Sequence, residues 1–310
     1  MINKEHLINL SKENGIEIIG FTSLERTQEE ITREKELKEL GYLTPFYKEY
    51  DEEEYKEYKS AVVIGVSYYN EKIEELDSLP KETAYFSPSS WGEDYHIVLK
   101  RKLEPLKEYL ENNGKKALVC VDNNSLNERY LGYKAGLGFF GINGHLINDE
   151  LGSYFFIGIL LTDEEFEYDK PLINSCISCM GCVNECPAGA IDIDGKVNGN
   201  KCLSYITQKK ELTEEESKLI NKCIYGCDIC SRVCPHNSGL KHSNNFEPLG
   251  IEFIDINKYE SLSNKEFQEK YGKLSGAWRG KKVIERNIAL YKEKLEKTST
   301  KWYNDNREAT

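Results

Sequence analysis

Nowhere in the 310 residues do 18 apolar residues run together, so no segment is long enough to cross a bilayer as a helix. The N-terminus, MINKEHLINLSKENG, is amphipathic and lacks the apolar centre of a secretory signal. An excess of positive charge is also missing. Lys and Arg number 41 against 53 Asp and Glu, a formal net charge of -12. That argues against a general nucleic-acid binder, which is basic overall. No internal repeat is present apart from a paired cysteine pattern. These absences predict a soluble, cytoplasmic protein without a membrane segment.

Apolar residues make up 39% of the chain and charged residues 30%, the balance of a globular protein long enough for two domains. Ten cysteines stand out. In a reducing compartment they are poor candidates for disulfides, and clustered thiols there point to metal. Charge is uneven. YDEEEYKEY near residue 50 is acidic, whereas nine Lys or Arg between Lys273 and Lys301 face only Glu285, Glu293 and Glu296. On charge alone, that basic stretch reads as a solvated helix face.

Hydrophobic spacing predicts a helix over 3–14 ended by Gly15, then strands at IEIIGFTS and, from Ala61, AVVIGVSYY. EDYHIVLKRKLEPLKEYLENNG reads as a helix to Gly114, interrupted or kinked at Pro105. KALVCVD is a strand reaching Asp122, and LNERYLGYKAG a helix to Gly136. HLIND and GSYFFIGILLTD read as a hairpin around DELG. Strands alternating with helices predict an α/β (α+β) domain over 1–165. A cysteine-bearing domain follows over 166–245, with a helix at LTEEESKLINK, and then a helical, partly basic segment over 246–310.

The run CISCMGCVNECP has the spacing C-x2-C-x2-C-x3-C-P of a ferredoxin that carries two clusters. Three cysteines two residues apart wrap one cluster, and the fourth ligates its neighbour. A second run ends alike, Cys227-x2-Cys230-x3-Cys234-Pro235. Crossing the fourth cysteines gives one [4Fe-4S] cluster on Cys176, Cys179, Cys182 and Cys234. The other takes Cys186, Cys227, Cys230 and either Cys202 or Cys223, which spacing leaves open. Zinc favours separated C-x2-C pairs and fits this run poorly. Cys120 lies in a strand and reads as a core residue. GLGFFG, Gly136 to Gly141, matches the dinucleotide fingerprint by letter only. A helix precedes it and a strand follows, the reverse of what that fingerprint requires.

The cysteine runs with KCLSYIT and IYGCDIC, together with SSWGEDYH, VDNNSLNERYLGYKAGLGFFGINGHLI and GSYFFIGIL, resemble the epoxyqueuosine reductase family over roughly residues 1–290. The resemblance implies a cobalamin-binding α/β domain followed by a ferredoxin-like domain with two [4Fe-4S] clusters, a fold shared with reductive dehalogenases. It implies reduction of the epoxide of epoxyqueuosine in a tRNA anticodon loop. It selects Cys202 as the last cluster ligand and Asp122 as the proton donor, a carboxylic acid with a raised pKa. His96 is a second candidate for that pocket. Gly141, Asn143, Leu146, Ile157, Ser204 and Tyr205 are carried over as cobalamin contacts. The D-x-H-x-x-G pattern of histidine-ligated cobalamin is absent, because Asp94-Tyr95-His96 is followed by Leu99. That agrees with a family in which no histidine lies below cobalt.

Two departures are visible. Ile142-Asn143-Gly144 stands where the family usually has Lys-Asn-Thr. GKLSGAWRGKKVIERNIAL resembles the start of a C-terminal helical-repeat region, but the sequence ends soon after. A ferredoxin or flavodoxin donor and a monomeric state complete the expectation. A cobalamin reductase of a small electrophile or of cobalamin itself, and a plain electron carrier, are the alternatives. The carrier would leave the 165-residue domain in front unexplained.

Overall fold

The computed structural model describes residues 2–307, with side chains to residue 298. Helix α1 (Lys4–Glu13) starts where the Asn3 side chain accepts from two backbone N–H groups and ends before Gly15, whose φ of 65° suits glycine. Strand β1 (Ile18–Ser23) is followed by α2 (Gln28–Glu39) and the single turn α3 (Glu52–Tyr55). Strand β2 (Ser60–Ser67) is buried at every position. After β3 (Thr83–Phe86), α4 (Tyr95–Asn112) runs through Pro105 as one helix. Next come β4 (Ala117–Cys120), α5 (Glu128–Lys134), β5 (Phe139–Phe140), β6 (Leu146–Ile147) and β7 (Phe155–Thr162).

The main sheet has the order β1-β2-β7-β4, and every pair in it is antiparallel. It is therefore the α+β form of the expected fold. Its central strand reads as a continuous apolar run because both faces are covered. Val62, Ile64 and Val66 pack against Leu99, Leu103 and Leu106 of α4. Ala61 and Val63 pack with Leu131 of α5 and with Leu137. Gly20 in β1 lies so close to the end of α5 that an added Cβ would stand 2.0 Å from the Ala135 carbonyl oxygen. Gly20→Ala is expected to destabilise the protein by about 1–3 kcal/mol, read as a fall in the denaturant midpoint.

The expected hairpin around DELG does not form as such. β6 pairs with β5, and β7 with β2 and β4. Asn148 divides them. Its Oδ1 accepts from the backbone of Glu150 and Leu151, while its Nδ2 donates to the Leu137 carbonyl oxygen. A bridge between Asn148 and Gly152 closes the turn.

The cysteine region adds short elements: α6 (Gly181–Asn184), α7 (Leu203–Ile206), α8 (Glu214–Leu219), β8 (Cys223–Tyr225) and α9 (Ile229–Arg232). β9 (Phe253–Asp255), α10 (Asn264–Tyr271) and α11 (Lys281–Arg307) follow. β3 pairs with β8 on one side and β9 on the other, so a small sheet joins the three segments that the sequence separates. Much of the basic stretch serves this packing. Arg286 donates to the carbonyls of Lys209 and Lys210, Lys294 to those of Lys218 and Ile220, and Lys281 to that of Leu262. The side chain of Lys301 lies outside the described residues.

Candidate active site and metal centres

The chain leaves β4 and turns at Asp122 and Asn123, whose φ angles are 47° and 51°. Two successive non-glycine residues in the left-handed region are strained by about 1–3 kcal/mol each. Anchors around the turn hold them. Glu128 Oε1 accepts from the Asp122 backbone N–H at 2.7 Å and from Asn124 Nδ2 at 2.7 Å. Lys48 Nζ donates to the Asn123 carbonyl, and Ser125 N–H to the Tyr55 hydroxyl. Burial pushes the Glu128 carboxyl up to about 7.

The first turn of α4 faces this loop. Tyr95 OH donates to Asp122 Oδ2 at 2.8 Å. His96 Nε2 lies 3.4 Å from the same oxygen, and its Nδ1 lies 2.8 Å from Asp94 Oδ1. Hydrogen bonding to Asp122 and then to Asp94 pushes His96 up to about 9, against the opposing effect of burial. The His96 imidazolium in turn holds Asp122 down to about 2, with help from Tyr95. Burial alone would raise Asp94, but its hydrogen bonds from His96 outweigh that and lower it. This corrects the expectation for Asp122. Its pKa is depressed, because the hydrogen bonds from His96 and Tyr95 outweigh the opposing effect of burial. Both shifts favour the proton on His96, whose Nε2 also lies 3.0 Å from Asn123 Nδ2.

Strand β7 runs beside this loop, with Phe156 and Ile157 on its opposite faces. Cys120 pairs with Ile159, so the chain past Cys120 reaches Asp122 near the level of Ile157. Strand β7 is buried along its length except at Phe156 and Ile157, which are half-open. The Tyr95 ring stacks on Phe156 at 4.5 Å and 9°. Leu146 and Ile157 meet over Gly132. Tyr225, raised to about 12 mainly by burial, feels the charges of Asp94 and Asp122. Its hydroxyl accepts from Trp278 Nε1 at 2.9 Å.

The cysteines form two groups. Cys176, Cys179, Cys182 and Cys234 line one cavity with Gly141, Asn143 and His236. Ser178 and Met180, at φ 53° and 61°, bend the loop between the first three. In the second group, burial raises Cys230 above its usual range, and the neighbouring thiols Cys227, Cys202 and Cys186 add to it. Cys227 is pushed up to about 12 by burial and feels Cys202 and Cys186 as well. Among the described residues, no three His, Cys, Asp or Glu side chains gather as the ligands of a single ion do. Cys223 also feels Cys227, but it is buried in β8 with Sγ on the carbonyls of Tyr225 and Gly226. Cys120 is a core residue pushed up to about 12 by burial.

The six residues expected in one cobalamin pocket divide. Leu146 and Ile157 share the α5 face of the main sheet, opposite the face on which Tyr95 meets Phe156. Ser204 and Tyr205 follow Cys202 on α7, where the Tyr205 backbone N–H donates to the Cys202 carbonyl oxygen at 2.9 Å. Gly141 and Asn143 instead line the first cysteine cavity. Sequence reasoning missed Tyr95, Glu128 and Tyr225. Tyr95 had a signal, being next to His96 in the first turn of a helix.

Residues 175–237 match a family model described as a 4Fe-4S double cluster binding domain, and residues 52–123 one described as epoxyqueuosine reductase QueG, DUF1730. The epoxyqueuosine reductase of Lactococcus garvieae is 38% identical over 299 residues, covering 92% of this chain and 85% of that protein. An epoxyqueuosine reductase solved with an epoxyqueuosine-modified tRNA-Tyr stem loop superposes with a TM-score of 0.84 at 33% identity, covering 93% of this chain and 80% of that one. A Bacillus subtilis epoxyqueuosine reductase, solved with its catalytic aspartate loop swung out of the active site, gives 0.83 at 33% identity with the same coverage. A catabolic reductive dehalogenase shares the fold, with a TM-score of 0.52 at 18% identity over 75% of this chain and 31% of that one.

Proposed function

The chain belongs to the epoxyqueuosine reductase family, and from that premise we propose how its residues perform the reaction. It is an oxidoreductase that converts epoxyqueuosine to queuosine in tRNA. The observation that carries the residue-level reading is the pairing of Asp122, on a strained turn, with His96 and Tyr95, whose ring stacks on Phe156.

Removing the epoxide oxygen takes two electrons and two protons and releases water; the first C–O bond to break leaves an alkoxide that must take a proton before the second can break. Asp122 delivers that proton. In the resting arrangement the carboxylate is held ionised, and His96 stores the proton 3.4 Å away. When Asp122 meets substrate and loses water, its anion is no longer favoured. The proton then passes from His96 to Asp122 and on to the substrate oxygen. Glu128 anchors the loop during this transfer through the Asp122 backbone N–H.

Cobalamin would use the half-open apolar surface of Ile157, on the face of β7 that also carries Leu146; Phe156 turns to the opposite face, where it stacks on Tyr95. Leu146, Ile157, Ser204 and Tyr205 would hold it. The clusters would be held by Cys176, Cys179, Cys182 and Cys234 and by Cys186, Cys202, Cys227 and Cys230. When bound, these groups supply the electrons that reduce the epoxide, the clusters one at a time and cobalamin at the substrate. A cytoplasmic ferredoxin or flavodoxin would meet the exposed end at Cys179, on a monomer.

The test is anaerobic, cluster-replete protein with cobalamin, a reductant and an epoxyqueuosine stem loop. Loss of one oxygen from the nucleoside by mass is the expected result. Full iron and cobalamin with no change in the nucleoside would overturn the reading. The pH profile checks His96. Turnover is expected to hold near neutrality and to fall as pH rises through about 9, where His96 loses its proton. In His96→Gln that alkaline limb disappears and turnover drops at least about tenfold. Stability follows the same sign. His96 is raised from 6.5, so its contribution is full below that value and is lost as pH rises through about 9.

A further inference from the structure

Two buried nitrogens facing the first cysteine cavity have no hydrogen-bond partner: Asn143 Nδ2 and His236 Nε2. Asn143 is 5% exposed, and unpaired buried donors are rare because each forfeits a bond to water. The orientation of the Asn143 amide is fixed. Its Oδ1 accepts from the His145 backbone N–H at 3.2 Å, which leaves Nδ2 as the free group. Gly141 gives this side chain its place, since a Cβ there would stand 2.6 Å from Asn143 Oδ1. His236 is held by its ring, 5.2 Å from Phe139 and nearly edge-on. It follows Pro235 in the turn whose N-cap is Cys234. The other lining groups are four cysteines and apolar or glycine residues, with Met180 and Pro235, so sulfur is the acceptor available in the cavity.

We propose that Asn143 and His236 donate N–H···S hydrogen bonds to the cluster on Cys176, Cys179, Cys182 and Cys234 and raise its reduction potential. Hydrogen bonds to cluster sulfur favour the reduced form, which carries one more negative charge. The ligand loop at this cluster is open to solvent: Cys179 is exposed, and Ile177 is 62% exposed. Exposure makes this the end at which an external carrier delivers its electron. The two donors then make reduction there easier, independently of the acid site.

The inference rests on the reading of these cysteines as cluster ligands. The experiment is an anaerobic redox titration followed by EPR, with iron counted on each protein. In Asn143→Leu and in His236→Phe, one of the two cluster midpoints is expected to move to more negative potential while the other stays. Each lost bond should shift the reduced-to-oxidised ratio on the order of tenfold, about 59 mV for a one-electron couple. His236→Gln, which keeps an N–H donor, should recover part of the shift. Full iron with both midpoints unmoved, or both moved alike, would overturn the proposal. Should Asn143→Leu shed iron, Asn143 is a structural support and its part is overturned; the His236→Phe and His236→Gln pair then decides the rest. Iron for fewer than two clusters in the unaltered protein would defeat the cluster reading itself, a result distinct from unmoved midpoints.

Discussion

Asp122→Asn is expected to keep both clusters and cobalamin and to lose turnover by about 100- to 10,000-fold, the usual contribution of a positioned acid. The substitution is mild for the fold. Asn tolerates the left-handed backbone at φ 47° better than most residues. The Asp122 backbone N–H to Glu128 does not involve the side chain, and Tyr95 OH still finds a carbonyl oxygen to donate to. What disappears is the group able to accept the proton of His96 and pass it on. The stem loop should bind as before, so kcat falls while KM holds, the signature of an interaction made in the transition state. His96 also loses the neighbour that contributes most to its raised pKa, so its titration should move back toward 6.5. Single-turnover conversion of an epoxyqueuosine stem loop, with NMR of the histidine, checks both. Turnover equal to that of the unaltered protein would sink the role of Asp122.

The cluster motif was legible because its information is local. Ligand spacing in a C-x2-C-x2-C-x3-C-P run is set by the size of the group it wraps. The strand ending in VD was legible too, since an apolar run that stops at an acid marks a strand end. The electrostatics were not. Asp122 and His96 are 26 residues apart in sequence, and only the packing of α4 beside β4 brings Oδ2 and Nε2 together. A reading of isolated residues therefore gave the acid a raised pKa, where the structure supplies a cation. The sheet direction was hidden for a similar reason. A strand covered on both faces reads alike whether its neighbours are parallel or antiparallel. β3, β8 and β9 were missed because each is three or four residues long, too short for a period to register. The orphan donors in the cysteine cavity left no trace in the sequence, since Asn143 and His236 become a pair only through the fold.

The choice between Cys202 and Cys223 predicts a second large effect: Cys202→Ser should lose half the iron, and Cys223→Ser should keep all of it. Spacing cannot separate the two, but their surroundings do. Cys202 sits at the N-cap of α7, close enough to Cys186, Cys227 and Cys230 for their thiols to feel one another, and burial raises its own thiol. Cys223 is 1% exposed in β8, and its sulfur faces the carbonyl oxygens of Tyr225 at 3.3 Å and Gly226 at 3.6 Å. Carbonyl oxygens accept from a neutral thiol and repel a thiolate. Burial pushes the Cys223 thiol well above its usual range, and Asp228 adds to that. A serine hydroxyl can make the same donation, so Cys223→Ser should change stability by no more than about 1 kcal/mol. Serine at 202 replaces the sulfur that stands with Cys186, Cys227 and Cys230, and it is a far weaker ligand for iron. Iron analysis with EPR of the reduced proteins decides. Loss of one cluster signal in Cys202→Ser, with the other intact, is the expected outcome. The reverse pattern, iron lost with Cys223 and kept without Cys202, would transfer the ligand to the strand and require β8 to open when the cluster binds.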